Sequence, residues 1–247
     1  MNVICCSKPW TAYDRLHSSE GDNWRELKVE SALTLEYLDS IKPEYIFFTN
    51  WNWKVPKDIL DKYECINLHM TPLPYGRGGS SLQNLIIRGN ERTMVTAIRM
   101  TDEMDAGPIY CALPMLLSGS AEEIYKRTVG IEIKLIKHIL KSDIVPQPQF
   151  GKPTYFQRRT PDESEIRPWV LGEMTLAEKI EEVPPGEWRS RPKRLYDFIR
   201  MLDAETYPRA FLETAGFKFE FSEACLNNDG KIKATVTITE KPGGCVS

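Results

Sequence analysis

The 247-residue sequence predicts an α/β fold: a Rossmann-like, mostly parallel sheet with flanking helices, followed by a small C-terminal α+β appendage. Three observations carry that expectation. Over the first two thirds, short apolar runs alternate with segments of helical periodicity, the pattern of stacked βαβ units. Between Val145 and Pro168, five prolines (146, 148, 153, 161 and 168) deny the backbone regular structure and mark a connector. Beyond it, two β-prone runs flank Asn227-Asn228-Asp229-Gly230, a hairpin signal. The expected division is a main domain over residues 1–150, then a Pro-rich connector and small subdomain over 151–247.

Val3 to Cys6 reads as the first strand and Trp24 to Val29 as a weaker second one. Leu33, Leu35, Leu38 and Ile41 fall near helical spacing, and Pro43 stops that segment before the β-prone run Tyr45 to Phe48. A short helix over Asp58 to Tyr63 leads into a strand at Cys65 to His69. A helix from about Ser80 ends at Gly89, which can take the left-handed conformation favoured at helix C-termini. Thr93 to Met100 is the next strand. Ser120 with Glu123 forms a capping-box signature, and Ile124, Ile131, Leu135, Ile139 and Leu140 continue as a buried helical stripe. In the tail, Pro184-Pro185-Gly186 is a break, Leu195 to Leu202 is helical, and Phe217 to Phe221 pairs with Lys231 to Thr239.

A net charge of -3 and a pI near 5.8 argue against a nucleic-acid substrate, because polyanion binding draws its affinity from clustered Lys and Arg. Arg189, Arg191, Lys193 and Arg194 form one basic run, which reads as a solvated linker. Six cysteines occur, but the adjacent Cys5 and Cys6 point to opposite faces of an extended strand, and no CxxC or Cys/His ligand spacing exists, so no metal is expected. The opening Met-Asn-Val-Ile-Cys-Cys-Ser-Lys is too short an apolar run for a signal peptide, and nothing approaches a membrane span of about 18 apolar residues, so the expected location is the cytoplasm. Trp10 and Trp24 are expected in the core, His17 and His138 at the surface.

The chemistry is concentrated around Ile66-Asn67-Leu68-His69. Alternation sends Ile66 and Leu68 to one face of the strand and Asn67 and His69 to the other. A stiff loop, Thr71-Pro72-Leu73-Pro74-Tyr75-Gly76-Arg77-Gly78-Gly79, follows at once. In open parallel sheets, ligands bind at the carboxyl ends of strands. Asp105 sits in the loop after the strand ending at Met100, on the same edge if the two strands run parallel. A carboxylate beside an imidazole would raise its basicity and fix its orientation.

Asn-x-His-x-Thr-x-Leu-Pro-x-x-Arg-Gly, with Asp105-Ala106-Gly107 farther along, resembles the folate-dependent formyltransferases that act on glycinamide ribonucleotide, methionyl-tRNA and amino sugars. The resemblance covers most of residues 40 to 140, with Thr71 where Ser is common and Met94 where Gly is frequent. It implies catalytic roles for Asn67, His69 and Asp105 within a formyltransferase domain. It further implies 10-formyltetrahydrofolate as the donor, held around Trp51, Asn52, Trp53, Thr71, Leu73, Pro74, Arg77, Gly78, Asp102 and Gly107. Trp51 and Trp53 could equally pack against the following helix. Asp197 to Ala204 and Tyr207 to Phe211 resemble the segment after the catalytic core in amino-sugar formyltransferases. That likeness points to a nucleotide-linked amino sugar as acceptor, in surface polysaccharide (lipopolysaccharide or O-antigen) synthesis, and to a homodimer. Rival readings are a 10-formyltetrahydrofolate hydrolase, a methionyl-tRNA formyltransferase, and a non-catalytic nucleotide-sugar or folate binder.

Overall fold

The structure, a computed structural model, describes residues 1–171 and 190–241. The chain forms two compact units: Met1–Ser81 with Arg92–Leu116 and Tyr125–Gln157, and Leu82–Glu91 with Leu117–Ile124 and Arg158 onward.

The first unit holds a six-stranded sheet in the order β2-β1-β3-β4-β6-β7. Its strands are β1 (Asn2–Cys5), β2 (Trp24–Leu27), β3 (Tyr45–Phe48), β4 (Cys65–His69), β6 (Arg92–Arg99) and β7 (Ile109–Leu116). The pairings β1 with β2, β1 with β3 and β3 with β4 are parallel; β4 with β6 and β6 with β7 are antiparallel. The sheet is therefore the mostly parallel one expected, with two strands added at one side by antiparallel pairing, of which only β6 runs against the others. All four residues of β1 are buried, as a central strand covered on both faces requires. Below one face, Val3, Cys5, Leu38, Ile46, Phe48, Val55, Ile59 and Cys65 belong to one apolar cluster.

Local chemistry accounts for the helices. In α2 (Leu35–Ile41), Thr34 caps the N-terminus by accepting the Tyr37 N–H, and Lys42 turns left-handed (φ 46°) to close the other end before Pro43. The other early helices are α1 (Tyr13–Glu20) and α3 (Lys57–Lys62). The capping box on α5 (Ala121–Lys141) forms as expected: the Ser120 N–H donates to Glu123 Oε2 at 2.8 Å, and the Glu123 N–H donates to Ser120 Oγ at 3.3 Å. Trp10 and Trp24 are buried, and Trp10 stacks on Tyr125.

Two expectations need correction. The Pro-rich segment is not wholly irregular: it contains β8 (Tyr155–Phe156), which pairs in parallel with the two-residue β5 (Arg77–Gly78), and Gln147 bridges antiparallel to Ile109. Nor is the basic run a linker throughout. Arg191, Lys193 and Arg194 open α7 (Arg191–Arg200), with Pro192 in the first turn where its missing N–H costs nothing, and Lys193 donates to Asp197 Oδ1 at 3.2 Å. Arg189 and Pro184-Pro185-Gly186 lie outside the described residues.

The second unit contains α4 (Ser81–Ile87, all but its first residue), α6 (Pro168–Leu171), α7 and a three-stranded antiparallel sheet of β9 (Ala210–Glu213), β10 (Phe217–Leu226) and β11 (Ile232–Glu240) in the order β11-β10-β9. The hairpin expected at Asn227 to Gly230 joins β10 to β11. On α7, Phe198 is fully buried, and Arg200 is held by Asp197 Oδ1 (2.7 Å) and the carbonyls of Leu117 (2.6 Å) and Gly119 (2.9 Å). A guanidinium with those partners satisfies three donors that burial would otherwise strand.

Candidate active site

β4 presents its side chains as alternation requires. Ile66 and Leu68 are buried, while Asn67 and His69 face the opposite side. His69 is 7% exposed. Its Nε2 lies 2.9 Å from the carbonyl oxygen of Gly76. A carbonyl can only accept, so Nε2 carries the hydrogen and, in the neutral ring, Nδ1 is the basic nitrogen.

The loop after β4 is held from several directions. Thr96 Oγ1 donates to the Thr71 carbonyl (2.7 Å) and Thr93 Oγ1 to the Met70 carbonyl (3.0 Å), both from the neighbouring strand β6. Thr71 Oγ1 adds a second donor, at 3.3 Å, to the Gly76 carbonyl that orients His69. The Gly76 N–H donates to Thr154 Oγ1 at 2.8 Å. Gly76 and Gly78 both have positive φ, 75° and 107°. A Cβ on Gly78 would stand 2.3 Å from the Phe156 carbonyl oxygen, so no other residue fits there without moving β8.

Asp105 meets these groups with both oxygens. Oδ1 accepts from Asn67 Nδ2 at 3.1 Å, and Oδ2 accepts the Gly78 N–H at 2.9 Å while standing 3.7 Å from His69 Nδ1. The three residues singled out from the sequence thus converge. The reason differs from the one expected, because β6 runs antiparallel to β4 and Arg99 pairs with Ile66 at the start of that strand. The loop therefore leaves β6 low on the sheet and returns toward the end of β4. It does so with Asp105 left-handed (φ 52°) and with Gly107 so near the Arg99 carbonyl that an added Cβ would lie 1.7 Å from that oxygen.

Two side chains brace that loop. Arg77, which is buried, donates to Glu103 Oε1 at 3.0 Å and, through Nε and Nη2, to Gln149 Oε1 at 3.2 and 2.9 Å. Gln149 Nε2 in turn donates to the carbonyls of Asp105 (2.7 Å) and Gly107 (2.9 Å). Gln149 and Thr154 are absent from the sequence-based set because both fall in the proline-rich stretch. The signal that could have found Gln149 is the alternation Pro146-Gln147-Pro148-Gln149: prolines at every second position leave the N–H of Gln147 free for one edge pairing, which it makes with Ile109.

Thr71, Arg77, Gly78 and Gly107 thus lie with the converging triad, and Leu73 and Pro74 line the same loop, Leu73 buried. Asp102 does not join them: it is half exposed and lies 3.9 Å from both Lys54 and Lys57. Trp51 packs against the apolar cluster under the sheet and meets Trp53 edge to face at 4.8 Å, whereas Asn52 is exposed. The packing alternative for the tryptophan pair therefore describes Trp51. Pairing of Phe48 with Asn67 puts this segment beside the end of β4. Asn50 Nδ2 and Trp51 Nε1 there are buried donors with no hydrogen-bond partner among the described residues. Among the described residues, no group of three or more His, Cys, Asp or Glu is placed to hold a metal ion, and no helix is long and apolar enough to cross a membrane.

Residues 12–140 match the formyl transferase family, and residues 182–239 match the C-terminal domain of methionyl-tRNA formyltransferase. The chain is 30% identical over 138 residues to a methionyl-tRNA formyltransferase of Francisella philomiragia, a match covering 53% of this chain and 44% of that protein; it spans less than half of such relatives. Among solved structures, a methionyl-tRNA formyltransferase from Clostridium thermocellum shares 39% identity with a TM-score of 0.83, covering 98% of this chain and 100% of the other. A 4-N formyltransferase from Francisella tularensis has the same fold at 14% identity, with a TM-score of 0.58 over 95% of each chain.

Proposed function

The chain belongs to the formyl transferase family, and we propose that it moves a formyl group from 10-formyltetrahydrofolate to the primary amine of a nucleotide-linked amino sugar, with Asn67, His69 and Asp105 as the reaction centre. The observation that carries the reading is the carboxylate of Asp105, which binds the Asn67 amide with one oxygen and faces His69 Nδ1 with the other.

Formyl transfer is acyl transfer. The amine nitrogen bonds to the formyl carbon, the carbonyl oxygen takes up negative charge, and the bond from that carbon to the folate nitrogen breaks as this nitrogen gains a proton. Asn67 Nδ2 has two hydrogens, and the one not given to Asp105 is free for the developing oxyanion. His69 Nδ1 accepts the proton released by the attacking amine and returns it to the leaving nitrogen. Asp105 Oδ2, 3.7 Å away, stabilises the imidazolium between those two transfers. No metal takes part in this scheme.

A flat heteroaromatic donor fits the segment after β3, where Asn50 and Trp51 offer unpartnered donors to ring heteroatoms and Trp53 offers an aromatic face. Asn52, Thr71, Leu73, Pro74, Arg77, Gly78 and Gly107 complete the proposed donor site. Asp102 would have to exchange Lys54 and Lys57 for the donor. The acidic balance of the chain favours a small acceptor over a polyanion. We also propose a cytoplasmic homodimer in surface polysaccharide synthesis, on the likeness of residues 197–211 to amino-sugar formyltransferases.

A methionyl-tRNA acceptor is the second reading, favoured by the 39% identity to the Clostridium protein over nearly the whole chain. One experiment separates the two. Tetrahydrofolate release is followed with 10-formyltetrahydrofolate and, in turn, a panel of nucleotide-linked amino sugars, methionyl-tRNA, or no amine. Turnover confined to an amino sugar supports the proposal. Turnover with methionyl-tRNA alone replaces it with the second reading, and formate release without any amine would make the chain a hydrolase.

A further inference from the structure

We infer that Gln149 is a positioning residue for the reaction centre, acting as the latch that holds the Asp105 loop in register with Asn67 and His69. The inference rests on the proposed formyl transfer for its kinetic meaning, and on geometry alone for the latch itself.

Three separate stretches of chain must agree before Asp105 can face His69: β4, the glycine loop at 76–78, and the loop at 101–107. The first two are joined by the His69 to Gly76 contact and by Thr71 Oγ1, which donates to the same Gly76 carbonyl. The carboxylate of Asp105 touches them at its tip. Its backbone is another matter, because Asp105 is held left-handed, a conformation that a non-glycine residue keeps only where its surroundings over-determine it. Gln149 supplies the restraint. Its Nε2 donates to the carbonyls on both sides of Ala106, at 2.7 Å to Asp105 and 2.9 Å to Gly107, so the turn is gripped where it would otherwise relax.

The other end of the same amide shows why the latch needs glutamine. Oε1 accepts two hydrogens from Arg77, whose third contact is Glu103 in the same loop. All four hydrogen-bonding positions of the amide are used, two as acceptor and two as donor. A carboxylate could serve Arg77 but would set negative oxygen against two carbonyls. An aliphatic side chain would serve neither. The strand-like bridge between Gln147 and Ile109, with N–H to O distances of 2.7 and 2.8 Å, fixes the backbone from which Gln149 reaches.

The test compares Gln149→Ala and Gln149→Glu with the parent chain, reading kcat and the KM for 10-formyltetrahydrofolate on the acceptor that supports turnover, the melting temperature, and deuterium uptake in residues 101–108 and 65–69. Both variants should lose about 10- to 100-fold in kcat, the scale of a reacting group displaced by an ångström, with KM within about threefold of the parent. Deuterium uptake should rise over 101–108 and stay unchanged over 65–69. Gln149→Glu is decisive: it keeps the Arg77 contacts, so near-parental kcat there would reduce Gln149 to a structural partner of Arg77 and overturn the inference. A kcat for Gln149→Ala within about twofold of the parent would overturn it equally. Should Gln149→Ala fail to fold, Gln149→Glu carries the comparison. If the parent transfers formyl to no amine, the proposed function fails, and uptake over 101–108 still decides the latch: unchanged uptake removes it.

Discussion

The Oδ2 atom of Asp105 accepts the backbone N–H of Gly78 at 2.9 Å, which ties the candidate catalytic carboxylate to a residue that has no room for a side chain. Gly78→Ala would set its new Cβ against the Phe156 carbonyl at a φ that disfavours any Cβ. We expect a loss of roughly 1–3 kcal/mol of stability together with at least a tenfold drop in turnover. Thermal denaturation run beside a tetrahydrofolate-release assay checks both, and a variant that melts and turns over like the parent would contradict the tight fit.

His69→Ala removes the only nitrogen base in the converging set and should lower kcat by about 10²- to 10⁴-fold at saturating donor. Asn67→Ala should cost about 10²- to 10³-fold through the lost oxyanion donor. The two losses should fall short of multiplying in the double variant, since both residues contact Asp105. Single-turnover rates give the comparison, and near-normal chemistry in His69→Ala would remove the assignment.

Arg77→Lys keeps the charge but not the fork. One ammonium cannot hold Glu103 and also give Gln149 Oε1 two hydrogens as the guanidinium does. Turnover should fall about tenfold with little change in melting temperature, because the loss is one of loop placement. Deuterium uptake over residues 101–108 is the accompanying measurement; parental uptake and turnover together would show that a point charge suffices.

Glu132, buried on α5, has its carboxyl raised to about 8 by desolvation, and its Oε2 has no hydrogen-bond partner among the described residues. The folded chain binds this proton more tightly than the unfolded chain does. Its contribution is therefore fully present below the ordinary carboxyl value and is lost as pH rises toward 8, by up to about 1.4 kcal/mol per pH unit. Glu132→Gln should flatten that decline and melt higher than the parent at pH 8.5, with little difference at pH 5. Parallel melting curves for the two proteins across that range would show the carboxyl to be ionised in the fold or solvated.

Much of the site was legible because its signals are local. Alternation along Ile66 to His69 assigns faces without knowledge of the sheet, and the glycines of 76–79 announce a backbone that other residues could not follow. Strand direction is not a local property. The sequence identifies Thr93 to Met100 as a strand, but the antiparallel course of β6 is set by pairing with β4 and by threonine contacts to the loop beyond it. The strand at Ile109 to Leu116 went unassigned because Pro114 interrupts it, which the sheet tolerates only because β7 is an edge. Gln149 was hidden for the opposite reason: its importance comes entirely from partners distant in the chain.

The Gly76 carbonyl that fixes the His69 ring also forbids it to rotate. A ring free to turn could collect a proton on one nitrogen and discharge it from the other, exchanging with solvent on the way. Tethered as it is, His69 has a single port, so in the proposed chemistry the hydrogen taken from the acceptor is the one delivered to the departing folate. Turnover would then be indifferent to buffer concentration, and acceptor and donor would have to occupy the site together when the formyl group moves.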